Sequence, residues 1–122
     1  MGQRRDRLLE TAQLARKAVE AASEKQATDI VMLDMRGICT FADYFVICSG
    51  DTQRQIEAIC EEIDDMMGRE GIKPNSREGN VDSGWILMDF GDVIIHIFTV
   101  TEREFYKLEK LWDKATPLVS IQ

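Results

Sequence analysis

The sequence holds no CxxC pair, one histidine, two prolines and no long apolar run, and each scarcity removes a class of protein. Without roughly 20 consecutive apolar residues there is no transmembrane helix to predict. The N-terminus mixes Arg4, Arg5 and Arg7 with Asp6 and Glu10 and lacks the apolar run and cleavage site of a signal peptide, so the chain reads as soluble and unprocessed. Three unpaired-looking cysteines, Cys39, Cys48 and Cys60, sit among apolar neighbours and fit small buried hydrophobes of a reduced, cytoplasmic protein. A reactive thiol would need a base or cation beside it that the local sequence does not supply. One histidine with no HxxxH partner does not make a metal site. Positive charge is also short: 15 Lys and Arg face 22 Asp and Glu, a net charge of -7. A phosphate backbone would be repelled, so little or no direct nucleic-acid binding is expected, and a basic protein partner suits the chain better.

What is present suffices for one domain. At 122 residues and 44% apolar content a core can form without disulfides or metals, and residues 1–122 are expected as a single domain with 1–7 and 117–122 as flexible ends. Leu8, Ala12, Ala15, Val19 and Ala22 recur at helical spacing and predict an amphipathic helix to about Lys25. Thr28 to Asp34 and Tyr44 to Ser49 are short continuous apolar runs, as strands buried on both faces are. Thr52 followed by Gln55 resembles a capping box for a second helix with the stripe Ile56, Ile59, Cys60, Ile63 and Met67, ended at Gly68 or Gly71. The breaker-rich stretch from Gly71 to Gly84 has room for one short strand. Trp85 to Phe90 and Val93 to Thr99 predict strands joined by a tight turn at Gly91-Asp92. Thr101 with Glu104 would cap a third helix with Phe105, Leu108 and Trp112 on one face, and Pro117 would close the regular structure. The expectation is an α/β fold: a mixed sheet of about five strands flanked by helices.

Candidate chemistry is thin. His96 lies on the same side of its strand as Ile94 and Phe98. With no nucleophile near it in sequence it fits a hydrogen-bonded structural residue better than a general base. Ser49-Gly50 before a helix is a place where a phosphate can be held, which raises a nucleotide-using enzyme as an alternative. Such an enzyme needs paired carboxylates for divalent metals, whereas Asp34, Asp89 and Asp92 are scattered and no Asp-x-Asp follows. Glu61-Glu62 and Asp64-Asp65 read as a solvated helix face. No catalytic residue, cofactor or metal is therefore expected.

Aromatic residues carry the clearer signal. Trp85, Phe90, Phe98, Phe105, Tyr106 and Trp112 crowd one part of the chain. Phe98 and Phe105 are expected in the core. Trp85, Leu87 and Asp89 alternate with Ile86, Met88 and Phe90, giving a strand whose two faces a three-helix domain need not both cover. An uncovered Trp or Tyr is an interface anchor.

The segments DYFVICSG (43–50), WILMDFGDV (85–93), HIF (96–98) and REFYKLEKLW (103–112), with Gln55, Ala58-Ile59 and Glu78-Gly79 between them, resemble the ribosomal silencing factor, or Iojap-like, family from about Leu14 to Trp112. The resemblance implies a nucleotidyltransferase-like α/β topology without catalytic residues. It also implies a translational repressor that binds the large ribosomal subunit through ribosomal protein L-fourteen, hinders joining of the small subunit, and forms a homodimer when free. Carried across, the partner-binding candidates are Trp85 as apolar anchor, Asp89 and Glu78 as acceptors for basic side chains, Tyr106, and Arg103. The chain departs from the family pattern at Gly50-Asp51-Thr52 and at Phe90; Asp51 disfavours phosphate at that helix start.

Overall fold

In the computed structural model, which describes residues 3–107, 110 and 114–122, with side chains from residue 10 onward, helices and strands alternate along the chain. They are α1 (Gln3–Glu24), β1 (Thr28–Asp34), β2 (Tyr44–Gly50), α2 (Gln53–Arg69), β3 (Ser76–Glu78), β4 (Trp85–Asp89), β5 (Val93–Thr99), α3 (Val100–Tyr106) and β6 (Thr116–Ile121), with a 3₁₀ turn at Val81–Ser83. The strands form one mixed sheet in the order β3-β4-β5-β2-β1-β6. β2 and β5 run parallel at its centre and every other pairing is antiparallel. Central position explains the continuous apolar sequence of β2, which is buried at all its positions.

α1 and α2 pack side by side on one face. The small side chains Ala15, Ala18 and Ala22 let α1 lie close to the sheet, while α2 contributes Ile56, Ile59, Cys60, Ile63 and Met67. Both meet Ile30, Met32, Val46, Ile86, Met88, Ile95 and Ile97. Thr52 caps α2 as expected, its hydroxyl accepting the Gln55 N–H at 3.0 Å. Gln55 reaches further than a cap residue: its Oε1 accepts the Asp51 N–H at 2.7 Å, and its Nε2 donates to the carbonyls of Lys25 and Gln26 at 3.1 and 2.8 Å. One side chain thus ties the start of α2 to the turn after α1. Gly50 fits here because a Cβ would sit 2.9 Å from Ile56 Cγ1.

The opposite face is covered differently. Leu33, Phe45, Ile47, Ile94 and Phe98 form a second core with Met35 and Ala42 from the β1–β2 loop and Ala115 near the C-terminus. Trp85 and Leu87 border it, only partly buried. α3 lies over this face, a short element set against a broad strip of sheet.

Several expectations change. The sheet has six strands rather than about five, because most of residues 117–122, expected as a flexible end, lie in β6 (Thr116–Ile121). This strand pairs antiparallel with β1 and has a register shift between Met32 and Leu33. Pro117 does not end regular structure: on an edge strand its missing N–H interrupts no ladder on the outer side. At the other end, α1 already begins at Gln3, while Met1 and Gly2 lie outside the described residues. The cap of α3 is Thr99, whose hydroxyl accepts the Glu102 N–H at 3.2 Å, not Thr101. The sequence offers the same T-x-x-E spacing twice, and the extended backbone of Thr99 at the end of β5 decides between them. α3 then stops at Tyr106, with Lys107 in the left-handed conformation, and Phe105 is 76% exposed rather than in the core. Adjacent helical positions point about 100° apart, and it is Tyr106 that turns toward the sheet. Leu108 and Trp112, expected on the same face, lie outside the described residues.

Candidate functional site

Register builds the site. On the face away from α1 and α2, Trp85 pairs with Phe98, Leu87 with His96 and Asp89 with Ile94. Beyond β4, Glu78 pairs with Leu87 and Ser76 with Asp89. Beyond β5, Ile47 pairs with His96 and Phe45 with Ile94. One row across the sheet therefore reads Glu78, Leu87, His96, Ile47, running from an exposed edge to a buried centre. β4 alternates half-buried and buried along its length, Ile86 and Met88 lying under the helices and Trp85, Leu87 and Asp89 facing the other way. That is the uncovered strand face expected from the alternation of the sequence.

The indole of Trp85 forms a three-ring cluster with Phe98 and Tyr106. Its centroid lies 5.0 Å from Phe98, nearly parallel, and 4.6 Å from Tyr106, tilted. Its Nε1–H donates to His96 Nδ1 at 3.2 Å. Tyr106 is 41% exposed and sits over the indole from α3, so the two aromatic candidates are brought together. Glu78, Gly79, Ser83, Trp85, Leu87 and Tyr106 line a shallow cleft of about 250 Å³, which puts a carboxylate at the rim of an apolar floor. The loop closing it is built for close approach. Gly79 has φ +80, and a Cβ there would lie 2.0 Å from the Trp85 carbonyl oxygen, so no other residue fits without moving the loop. Asn80 and Ser83 exchange capping hydrogen bonds around the following turn.

The remaining candidates are placed apart from this cleft or already engaged. Asp89 shares the face, and its Oδ1 accepts the Gly91 N–H at 2.8 Å, shaping the β4–β5 turn. Arg103 is half-buried and its Nη1 donates to Ser49 Oγ at 2.9 Å, pinning α3 to the end of β2. Gln55 and Thr52, whose spacing predicts a cap for α2, sit at that same end of β2, where Gln55 Oε1 accepts the Asp51 N–H just past Gly50 and Thr52 caps the helix that follows.

The same bonds bear on the enzyme alternative. Ser49 Oγ is engaged by Arg103, and the Asp51 and Gln55 N–H groups at the start of α2 are engaged by side chains, so these groups of the turn that could cradle a phosphate are already satisfied from within the chain. Asp34 is occupied by Arg36, which approaches with Nε at 2.9 Å and Nη2 at 2.7 Å and holds its carboxyl below the usual carboxylate range. Among the described residues no group of three or more His, Cys, Asp or Glu side chains is placed to hold a metal ion. Burial pushes the Cys48 thiol up to about 12 and the Cys60 thiol up to about 11, so both stay protonated and inert. His96 is 4% exposed, and burial lowers it to about 4, so it is neutral at physiological pH. No helix among the described residues is long and apolar enough to cross a membrane.

Comparison with known proteins settles the family. Residues 9–122 match the model of the family described as ribosomal silencing factor during starvation. The chain belongs to the ribosomal silencing factor family. It is 45% identical to the ribosomal silencing factor of Bacillus subtilis over 104 residues, 85% of this chain and 87% of that protein. A crystal structure of a Chromobacterium violaceum protein superposes with a TM-score of 0.76 at 28% identity, covering 86% of this chain and 85% of that one. Further away, a mouse protein named mitochondrial assembly of ribosomal large subunit protein 1 is 31% identical over 77% of this chain and 42% of its own length. These names describe a ribosome-regulating factor, not an enzyme.

Proposed function

We propose that this chain represses translation by docking on the large ribosomal subunit, through ribosomal protein L-fourteen, and sterically hindering the small subunit from joining. The observation that carries the reading is the half-buried Trp85, stacked on Phe98 and in tilted contact with the partly exposed Tyr106, in a cleft rimmed by Glu78. A rigid aromatic anchor with a carboxylate at its edge is the surface a basic protein would engage. Trp85 and Tyr106 supply the apolar contact. Glu78 and Asp89 take cationic side chains, Asp89 through Oδ2 since Oδ1 holds the turn, and Arg103 braces α3 beneath Tyr106. Membership of the ribosomal silencing factors supports the repressor role, and the mouse relative's name supports the large subunit as the particle concerned. The chain acts in the cytoplasm, by occupancy rather than catalysis. When free it covers exposed apolar surface by pairing with a second copy.

Sedimentation tests this directly. The purified chain is expected to travel with large subunits and to slow formation of joined ribosomes; sedimentation only as free protein would sink the reading. Trp85→Ala, with its fold intact by circular dichroism, is expected to weaken subunit binding by about 2 kcal/mol or more, roughly thirtyfold. Unchanged binding would move the docking surface elsewhere.

A further inference from the structure

His96 is a buried polar group on the docking face whose role the docking reading leaves unstated. It stands in the middle of the sheet at 4% exposure, between Leu87 and Ile47 in register. Its ring lies 4.9 Å from that of Phe45 and, nearly parallel, 6.4 Å from that of Phe98. An indole nitrogen can only donate, so the 3.2 Å contact from Trp85 Nε1 requires an unprotonated Nδ1. The neutral ring therefore carries its proton on Nε2, and that N–H is buried with no acceptor among the described residues.

A buried donor left without a partner is unfavourable, and a leucine or phenylalanine here would fill the same row without it. What an apolar side chain would not supply is the Nδ1 lone pair. Deprived of it, the half-buried indole would satisfy its N–H only by turning toward water, which breaks its near-parallel stacking on Phe98 and its contact with Tyr106. We propose that His96, locked as the Nε2–H tautomer, is a positioning residue for docking: its Nδ1 fixes the orientation in which Trp85 is presented to the partner. This deepens the docking reading above and rests on it. It also explains how a large, only partly buried aromatic side chain is kept in one orientation.

The test separates the two ideas. In a Trp112→Phe background Trp85 is the sole tryptophan, and its indole proton is followed by nitrogen-edited NMR. The expected signature is a downfield indole proton protected from exchange. In His96→Phe, with His96→Leu as a second apolar variant should the first not fold, that proton moves upfield and exchanges roughly tenfold faster or more. His96→Asn places an amide oxygen close to the Nδ1 position and restores the protected signal. Large-subunit binding is expected to weaken roughly fivefold in the apolar variants and to stay within about twofold of the parent in His96→Asn. An indole signal indifferent to the apolar variants overturns the proposal. So does equal loss of binding in the apolar and Asn variants, which marks a structural role alone. If the parent chain bound no large subunits, the docking reading would fall while the indole measurement still decided whether His96 positions Trp85.

Discussion

At the scale of single residues, His96 and Gly79 are where substitution should speak most clearly. The unfolded imidazole takes up a proton below about 6.5 and the folded one only near 4. Between those values the unfolded state binds more protons, so stability falls as pH drops through that window and is unaffected by this group above it. Spread over the whole window the loss is about 3 kcal/mol. Urea denaturation of the parent and of His96→Asn at pH 7, 5.5 and 4.5 is expected to show the parent losing stability relative to the variant as pH falls. Parallel curves would mean that the ring is hydrated. Gly79→Ala combines a left-handed φ with a Cβ 2.0 Å from the Trp85 carbonyl and should cost about 2 kcal/mol or more by thermal melting. Gly91→Ala, with a similar φ but its nearest atom 3.6 Å away, should cost only about 1 kcal/mol.

Among the elements, α3 is the most dependent on its ends. It has seven residues, too few for a helix to persist without packing and capping. Its supports are the Thr99 cap, the Arg103 bond to Ser49, and the Tyr106 contact with Trp85. Gly84 lets it close down: a Cβ there would lie 2.4 Å from Glu102 Cγ. Thr99→Ala should cost about 1 kcal/mol, and hydrogen exchange should show the loss confined to Val100–Tyr106, with α1 and α2 unchanged. Thr101→Ala, the alternative cap, should leave exchange in that segment at the parent rate. β6 makes the complementary point. Its exposed Leu118 and Ile121 give little alternation to read, and only its pairing with β1 makes it a strand.

For the whole molecule, the net charge of -7 acts at a range that no single residue does. If the partner is basic, association with it should slow as ionic strength rises from about 0.05 to 0.5 M, with dissociation changing much less, because the Debye length shortens while the aromatic contact stays dry. Stopped-flow binding at several salt concentrations would show it; a salt-independent association rate would exclude electrostatic steering. The two faces of the sheet divide the labour. One is sealed by α1 and α2 into a continuous core and supplies stability, and on the other, among the described residues, Trp85 is partly buried and Tyr106 partly exposed, within reach of a partner.

By itself the sequence determined the elements whose signals are local. β1 and β5 run over the expected residues and the α2 cap lies at Thr52, because hydrophobic period and capping chemistry are properties of neighbouring residues. The linked aromatic and glycine motifs likewise reached the family. Only the tertiary structure decided that Thr116–Ile121 forms a strand, that Thr99 rather than Thr101 opens α3, and that Phe105 faces water while Tyr106 meets Trp85. It alone placed His96 Nδ1 against the indole, and Arg103 and Gln55 together at the C-terminal end of β2. Each of these depends on which groups from distant parts of the chain meet in space. Spacing along one strand or helix carries the period of its own faces but not the identity of what will cover them.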